Sequence, residues 1–191
     1  MADGGFETRY SSRIDAALTF AAQKHAGQRR KGSSTPYVVH PMHVAWLLQA
    51  YGHDEDTVIA GILHDVLEDT SCTRGELEGR FGKTVTDTVW EVTEPDKSLS
   101  WEERKRNAVA RMHHMSPSGR AVTCADKAHN LHTIADALER GERHVFERLK
   151  RGPAQQLEYH RHALEALSVG CDHPILGELG GALERVEGLV R

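Results

Sequence analysis

Apolar residues recur along this chain at spacings of three and four, the period of helices that bury one face. Ile14, Ala17, Leu18, Ala21 and Ala22 line one side of a first helix from about Ser11-Ser12 to Lys24, with a serine placed to cap it and Gly27 to end it. A loop rich in Gly, Ser, Pro and basic residues follows, from Gln28 to Pro36. Val44, Ala45, Leu47 and Leu48 mark the inner face of a second helix, opened by Pro41 and closed near Tyr51-Gly52. A third helix is predicted from about Asp54 through Val58-Ile59-Ala60 and Ile62-Leu63 as far as Thr70, and Thr73 with Glu76 reads as a capping box for a short one ending at Phe81.

Val85, Val89 and Val92 then stripe a helix over Lys83 to Thr93, and a polar break follows around Glu94-Pro95-Asp96. Ser100 to Glu103 opens a strongly charged helix lasting to about Met115, and Pro117 with Gly119 marks a turn. Ala121 to Ala125 leads into a helical pattern carrying Asp126, Asn130, Ile134 and Leu138, and further helices are expected near residues 143–151, 153–167 and 174–190. Val38-Val39 and Ala121–Thr123 are too short to argue for strands. The fold class is therefore all-α, a single domain over residues 1–191 with about eight to ten helices.

Composition narrows the function more than the fold. With 39% apolar residues the chain is ordinary globular protein, and a formal charge of −4 argues against a general nucleic-acid binder. Any positive charge that meets a polyanion must be local. Three scattered cysteines, Cys72, Cys124 and Cys171, suit reduced thiols and a cytoplasmic location, without a disulfide framework or a zinc-type spacing. No stretch approaches the ~20 apolar residues of a membrane span. Met1 to Glu7 has neither the basic start nor the apolar core of a secretory signal.

Candidate chemistry concentrates in His64-Asp65-Val-Leu-Glu68-Asp69, four ionisable groups within six positions of an apolar helix. Burying such a set is costly unless a cation compensates it, and a divalent metal would do so; a solvated acidic helix end carrying an incidental histidine is the other reading. Two adjacent residues cannot close a coordination shell. His40, at the entry of its helix, and Asp126, with Asn130 one turn further on, complete a set of two imidazoles and two carboxylates suited to Mn²⁺, Fe²⁺ or Zn²⁺. Glu68 and Asp69 then stand where a carboxylate could take a proton from an attacking water, which points to hydrolysis of a phosphoester or pyrophosphate. Arg29, Arg30 and Lys31 supply local positive charge for phosphate oxygens or for stacking on a purine, while Tyr37, Asn130 and Thr133 are further candidates to contact a nucleotide.

Four segments carry these residues in order: His25-Ala-Gly-Gln-Arg-Arg-Lys31, Pro36-Tyr-Val-Val-His-Pro41, His64-Asp-Val-Leu-Glu-Asp-Thr70 and Ala125-Asp-Lys-Ala-His-Asn-Leu131. Together they resemble the hydrolase domain of the RelA/SpoT proteins, a branch of the HD-domain metal-dependent phosphohydrolases. Glu91-Val-Thr93 and Glu103-Arg-Lys105 resemble its intervening segment, and the likeness spans about residues 10 to 165. The resemblance implies the all-α HD fold and Mn²⁺-dependent removal of the 3′-pyrophosphate from guanosine tetra- or pentaphosphate. It implies His40, His64, Asp65 and Asp126 as ligands, Glu68 and Asp69 on the water, an arginine on the base and Lys31 on the phosphates. The register of Arg29 against Arg30 is open by one residue, because the loop before Pro36 is longer than in the long bifunctional enzymes.

The chain is too short for the synthetase and regulatory domains of those long enzymes, so it resembles a small stand-alone alarmone hydrolase. Adenosine alarmones or the 2′-phosphate of NADPH are alternative substrates, another HD nucleotide phosphohydrolase is an alternative enzyme, and a silent nucleotide-binding module is an alternative of a different class. A second metal would call on His129 or His132, which read better as structural or exposed residues. Base preference and oligomeric state stay open, a homodimer included.

Overall fold

The computed structural model describes residues 10–94, 96–149 and 151–191. Sequence readings that touch Met1 to Glu7, Pro95 and Lys150 lie outside the described residues. Among these residues the chain folds as α1 (Ser12–Lys24), α2 (Val39–Ala50), α3 (Glu55–Leu63), α4 (Val66–Asp69), α5 (Arg74–Phe81), α6 (Lys83–Val92), α7 (Trp101–Met112), α8 (Pro117–Glu139), a 3-10 helix (Arg143–Arg148), α9 (Pro153–Ser168) and α10 (Ile175–Val190). The β-type pairing among them is one isolated bridge between Arg29 and Pro36, which pinches the basic loop closed. The all-α expectation holds.

Helix starts follow the side chains able to satisfy the first free amides. Ser11 accepts from the Ile14 amide at 3.1 Å, and Thr73 accepts from Glu76 at 3.2 Å. Ser100 and Glu103 cap α7 reciprocally. Ser116 caps α8, so Pro117 and Gly119 are not a turn between helices: both lie in the first turn of α8, where proline loses no helical hydrogen bond.

Helix α8 is the axis of the molecule. Cys124, Ala125, Ala128, Leu131 and Ala135 are at most 1% exposed, and α2, α3, α6, α9 and α10 all pack on this helix. That enclosure explains why its apolar positions do not form one stripe, since a helix covered all round needs no polar face. Helices α2 and α3 approach closely where Gly61 lies. A Cβ there would stand 2.4 Å from Leu48 Cδ1 and 3.4 Å from Val44 Cγ1, so the missing side chain sets their separation. One end of this packing carries the first turn of α2, the α3–α4 junction and the middle of α8 together.

Candidate active site

The sequence expectation of one helix from Asp54 to Thr70 is corrected by the structure. Helix α3 ends at Leu63, His64 and Asp65 form a turn, and α4 is a separate four-residue piece. A side-chain bond accounts for the interruption: His64 Nδ1 lies 2.8 Å from the Gly61 carbonyl, the acceptor that a continuous helix would offer to the Asp65 amide. The turn aims both side chains at one point. His40, His64 and Asp65 each offer a ligand atom there, all within 4.8 Å of one another.

Asp126 faces the same point from α8. Its Oδ1 lies 3.2 Å from His40 Nε2 and 3.9 Å from His64 Nε2, and the Asn130 amide donates to it at 2.7 Å. The two histidines are held by their other nitrogens. His64 Nδ1 donates to Gly61, so its Nε2 is the nitrogen turned to the carboxylates; that atom is buried without a hydrogen-bond partner, although Asp65 Oδ2 is 3.0 Å away. His40 Nδ1 meets His129 Nδ1 at 2.7 Å, which leaves His40 Nε2 directed at the carboxylates of Asp65 and Asp126. Carboxylate oxygens that converge in a buried place repel one another unless positive charge, a proton or a metal cation, lies between them. This donor set, two imidazoles and two carboxylates, fits a divalent metal of the Mn²⁺, Fe²⁺ or Zn²⁺ type.

The electrostatics carry the same demand for positive charge. Burial would lower the pKa of His64, but the charges of Asp65 and Asp126 outweigh it and lift it to about 9. Burial would raise both carboxyls, yet His64 pulls Asp65 down and Lys127 with His40 pulls Asp126 down, so both stay ionised. His40 is shifted the other way by its own burial, against the pull of Asp126.

Glu68 and Asp69 lie on the adjoining wall. Glu68 Oε2 accepts from the Glu94 amide at 3.0 Å, and burial followed by the Asp65 charge raises the Glu68 pKa despite that bond. Lys97 bridges the pair, 2.7 Å from Asp69 Oδ1 and 3.6 Å from Glu68 Oε1. Tyr37, whose hydroxyl is kept protonated by burial and by Asp65, donates to Asp65 Oδ2 at 2.7 Å.

The cleft has two parts that share His40 and Asp126. An inner chamber of about 270 Å³ runs past His40, His64, Asp65, Glu68 and Asp126 towards Arg104, Lys105 and Arg111. An outer cleft of about 880 Å³ is walled by Arg30, Lys31, Tyr37, Asn130 and Thr133, with Tyr159 and His160 opposite in sequence on α9. Arg30 lies in this wall, 2.8 Å from Asn130 Oδ1 and with its guanidinium 5.8 Å from the Tyr37 ring centroid. Arg29 is exposed, donates to the Ser34 carbonyl of its own loop, and is on neither wall. Thr133 reaches the outer cleft, with its hydroxyl already donating to the His129 carbonyl at 2.9 Å.

Several residues of the site were not selected from the sequence. Lys97 lies in the polar break, where nothing in the spacing tied it to Glu68. Arg104 and Lys105 belong to a segment noted only for its family likeness, and Lys127 was read as part of a motif and assigned no task. His129 is buried against His40, and His132 pairs with Glu178 at 2.6 Å, so neither stands as a spare ligand.

A family model described as "HD domain" matches residues 17–151 of the chain. A Xenopus tropicalis protein named guanosine-3′,5′-bis(diphosphate) 3′-pyrophosphohydrolase MESH1 is 42% identical over 128 residues, which cover 65% of this chain and 71% of that one. The Homo sapiens protein of the same name is 45% identical over 121 residues, 62% of this chain and 67% of that one. A solved structure titled as a metazoan ortholog of SpoT that hydrolyzes ppGpp superposes with a TM-score of 0.78 at 33% identity, covering 95% of this chain and 99% of that one.

Proposed function

The chain belongs to the HD-domain family, and on that footing we propose that it is a metal-dependent hydrolase that removes the 3′-pyrophosphate of guanosine 3′,5′-bis(diphosphate). One observation carries the reading: two imidazole nitrogens and two ionised carboxylates converge beside a second carboxylate pair, of which Glu68 has a raised pKa, where a nucleotide-sized cleft meets an inner chamber lined by Arg104, Lys105 and Arg111. The family implies a divalent metal, and His40, His64, Asp65 and Asp126 would hold it, with Mn²⁺ as the proposed ion. When bound, the metal supplies Lewis-acid stabilisation of charge on the phosphoryl oxygens.

The reaction joins the oxygen of one water to the phosphorus on the 3′ oxygen, breaks that P–O bond, and leaves a 3′-hydroxyl and free pyrophosphate. Glu68 is the group to take the water's proton at Oε1, since Oε2 is engaged by the Glu94 amide. Its raised pKa brings its basicity nearer to neutral pH, which favours proton transfer. Asp69, held by Lys97, orients the water from the same wall. Tyr37 fixes Asp65 through its hydroxyl, and Arg30, braced by Asn130, presents a guanidinium plane to the base. Lys31 and Thr133 line the outer cleft where the rest of the nucleotide lies.

As part of this reading, the partner is a nucleotide and not a nucleic acid, given a net charge of −4, and the enzyme is a single cytoplasmic hydrolase domain. No helix among the described residues is long and apolar enough to cross a membrane. The test is a substrate panel of ppGpp, pppGpp, ppApp and NADPH with Mn²⁺ and with chelator, read as release of pyrophosphate or phosphate. Chelator-sensitive pyrophosphate release from ppGpp is the expected result. Cleavage of ppApp or NADPH alone reassigns the substrate, and nucleotide binding with no cleavage makes the chain a silent module.

A further inference from the structure

His25 and Gln28 belong to the first of the four ordered segments, and the hydrolytic chemistry above leaves both without a task. Neither side chain lines the cleft. His25 ends α1 and is 3% exposed, yet its ring is not needed to close that helix, because its backbone amide already donates to the Ala21 carbonyl at 2.9 Å. Gly27, with a φ of 77°, then turns the chain and brings Gln28 back beside the ring. A carbonyl can only accept, so the Gln28 amide nitrogen faces the Asp69 carbonyl, to which it donates at 2.9 Å. That leaves Gln28 Oε1 to accept from His25 Nδ1 at 2.8 Å. His25 Nε2 is buried without a hydrogen-bond partner, so among the described residues the bond to Gln28 is the polar contact this ring makes.

The Asp69 carbonyl needs such a donor. Helix α4 is four residues long, and a single turn is marginal by itself and leaves its last carbonyls without helical partners. Three side chains supply what the turn lacks: Thr70 donates to the Val66 carbonyl at 2.6 Å, Lys97 to the Glu68 carbonyl at 2.9 Å, and Gln28 to that of Asp69. Thr70 moves with the turn and Lys97 is exposed, whereas Gln28 is backed by a buried ring on α1, which packs against α3. The same ring lies on Tyr37, with centroids 4.8 Å apart and planes 35° from parallel, and the Tyr37 amide donates to the Gln28 carbonyl at 3.0 Å. Tyr37 in turn reaches Asp65 Oδ2 at 2.7 Å and Asp69 Oδ2 at 3.4 Å.

We propose that His25 and Gln28 are positioning residues: through the Asp69 carbonyl they fix the turn that carries Glu68 and Asp69, and through Tyr37 they set that turn against Asp65. The proposal rests on the hydrolase reading above, in which Glu68 takes the proton of the attacking water. Such a transfer tolerates little displacement of the base, so loosening the turn slows the chemical step. Nucleotide and metal are held by other side chains, so their binding stays almost unchanged.

The test uses Gln28→Met, which keeps the length of the side chain without its hydrogen bonds, and His25→Phe, which keeps a ring on Tyr37 without Nδ1. Amide exchange over residues 66–70, followed by mass spectrometry in chelator-treated protein, reads the turn itself. Steady-state cleavage of ppGpp and titration with Mn²⁺ read the consequence. Gln28→Met should quicken exchange over 66–70 about tenfold with α8 unchanged, and lower kcat about tenfold with KM and Mn²⁺ affinity within about twofold of the parent. His25→Phe should show part of the same loss, and the double variant should match Gln28→Met within about twofold, since both act on one chain of bonds. Unchanged exchange over 66–70, a kcat at the parent's value, a loss shared equally with Mn²⁺ affinity, or losses that add in the double variant each overturn the proposal. Should His25→Phe fail to fold, Gln28→Met decides alone. A parent that leaves ppGpp uncut sinks the hydrolase reading by itself; quickened exchange in Gln28→Met then keeps the hold on the turn, and unchanged exchange sinks that too.

Discussion

His160 gives the most direct test of the electrostatics, because it lies beside the cleft without touching the proposed ligands. Its ring, on α9, is 6% exposed and its Nδ1 is buried with no hydrogen-bond partner. Burial first, then the nearby charges of Lys127 and Lys105, lower its pKa to about 3. In the unfolded chain the same group titrates near 6.5. Between pH 6.5 and 3, therefore, the unfolded state binds a proton that the folded state refuses, and stability must fall as pH falls through that window. Each pH unit inside it is worth about 1.4 kcal/mol, so lowering the pH to 5 removes about 2 kcal/mol through His160 alone.

His160→Leu abolishes this contribution and shifts the stability at neutral pH by a constant set by packing. The difference between parent and variant, measured by urea unfolding from pH 7.5 to 5, should change by about 2 kcal/mol, with the variant losing less. Both proteins are treated with chelator so that proton-driven metal release adds nothing. His129, lowered to about 3 by its burial and by His40, is present in both proteins and cancels. Parallel stability curves for the two proteins would show that His160 is protonated, or solvated, in the folded state, and would refute the reasoning.

Three further outcomes follow from the geometry. Asp65→Ala removes a ligand and should abolish Mn²⁺ binding and turnover together, whereas Glu68→Gln should bind Mn²⁺ within about threefold of the parent while losing about 10²-fold or more in kcat; equal metal loss in both would end the division of roles. His129→Leu should weaken Mn²⁺ binding by about 10- to 100-fold by releasing His40 Nδ1, with His129→Asn restoring part of it through an amide oxygen, as read by metal titration. Arg30→Ala should raise the KM for nucleotide about tenfold, while Arg29→Ala, which faces Ser34 and solvent, should change it less than about twofold.

The fold was legible wherever local chemistry decides. Capping serines at Ser11 and Ser100, the period of Val85 and Val89, and the Gly27 stop are all short-range signals, and the helices they announce are present. Legibility failed at Pro117 and Gly119, two residues that punctuate loops but also suit a first helical turn capped by Ser116. For the site, residues joined by helical spacing or by an apolar setting stood out: His40, His64, Asp65, Glu68 and Asp126. Arg104, Lys105, Arg111 and Lys97 did not, because a charged residue on a charged helix or in a polar loop looks solvated until the fold shows what it faces. Only packing turns α7 inward.

The break after Leu63 shows why the missing information mattered. On a continuous helix His64 and Asp65 would diverge by about 100°, since neighbours on a helix point to different sides. Two adjacent residues on such a helix would be poor joint ligands for one ion. By bonding its Nδ1 back to Gly61, His64 interrupts the ladder, and the turn brings its Nε2 within 3.0 Å of Asp65 Oδ2. Gly61 serves twice: its carbonyl fixes the imidazole, and its lack of a side chain lets α2 approach until His40 reaches the same point. The acidic pair that follows is displaced by the same turn onto the adjoining wall, out of the donor set and beside the place where a water can attack. A single interrupted helix thus separates the groups proposed to hold a metal from the groups proposed to move a proton.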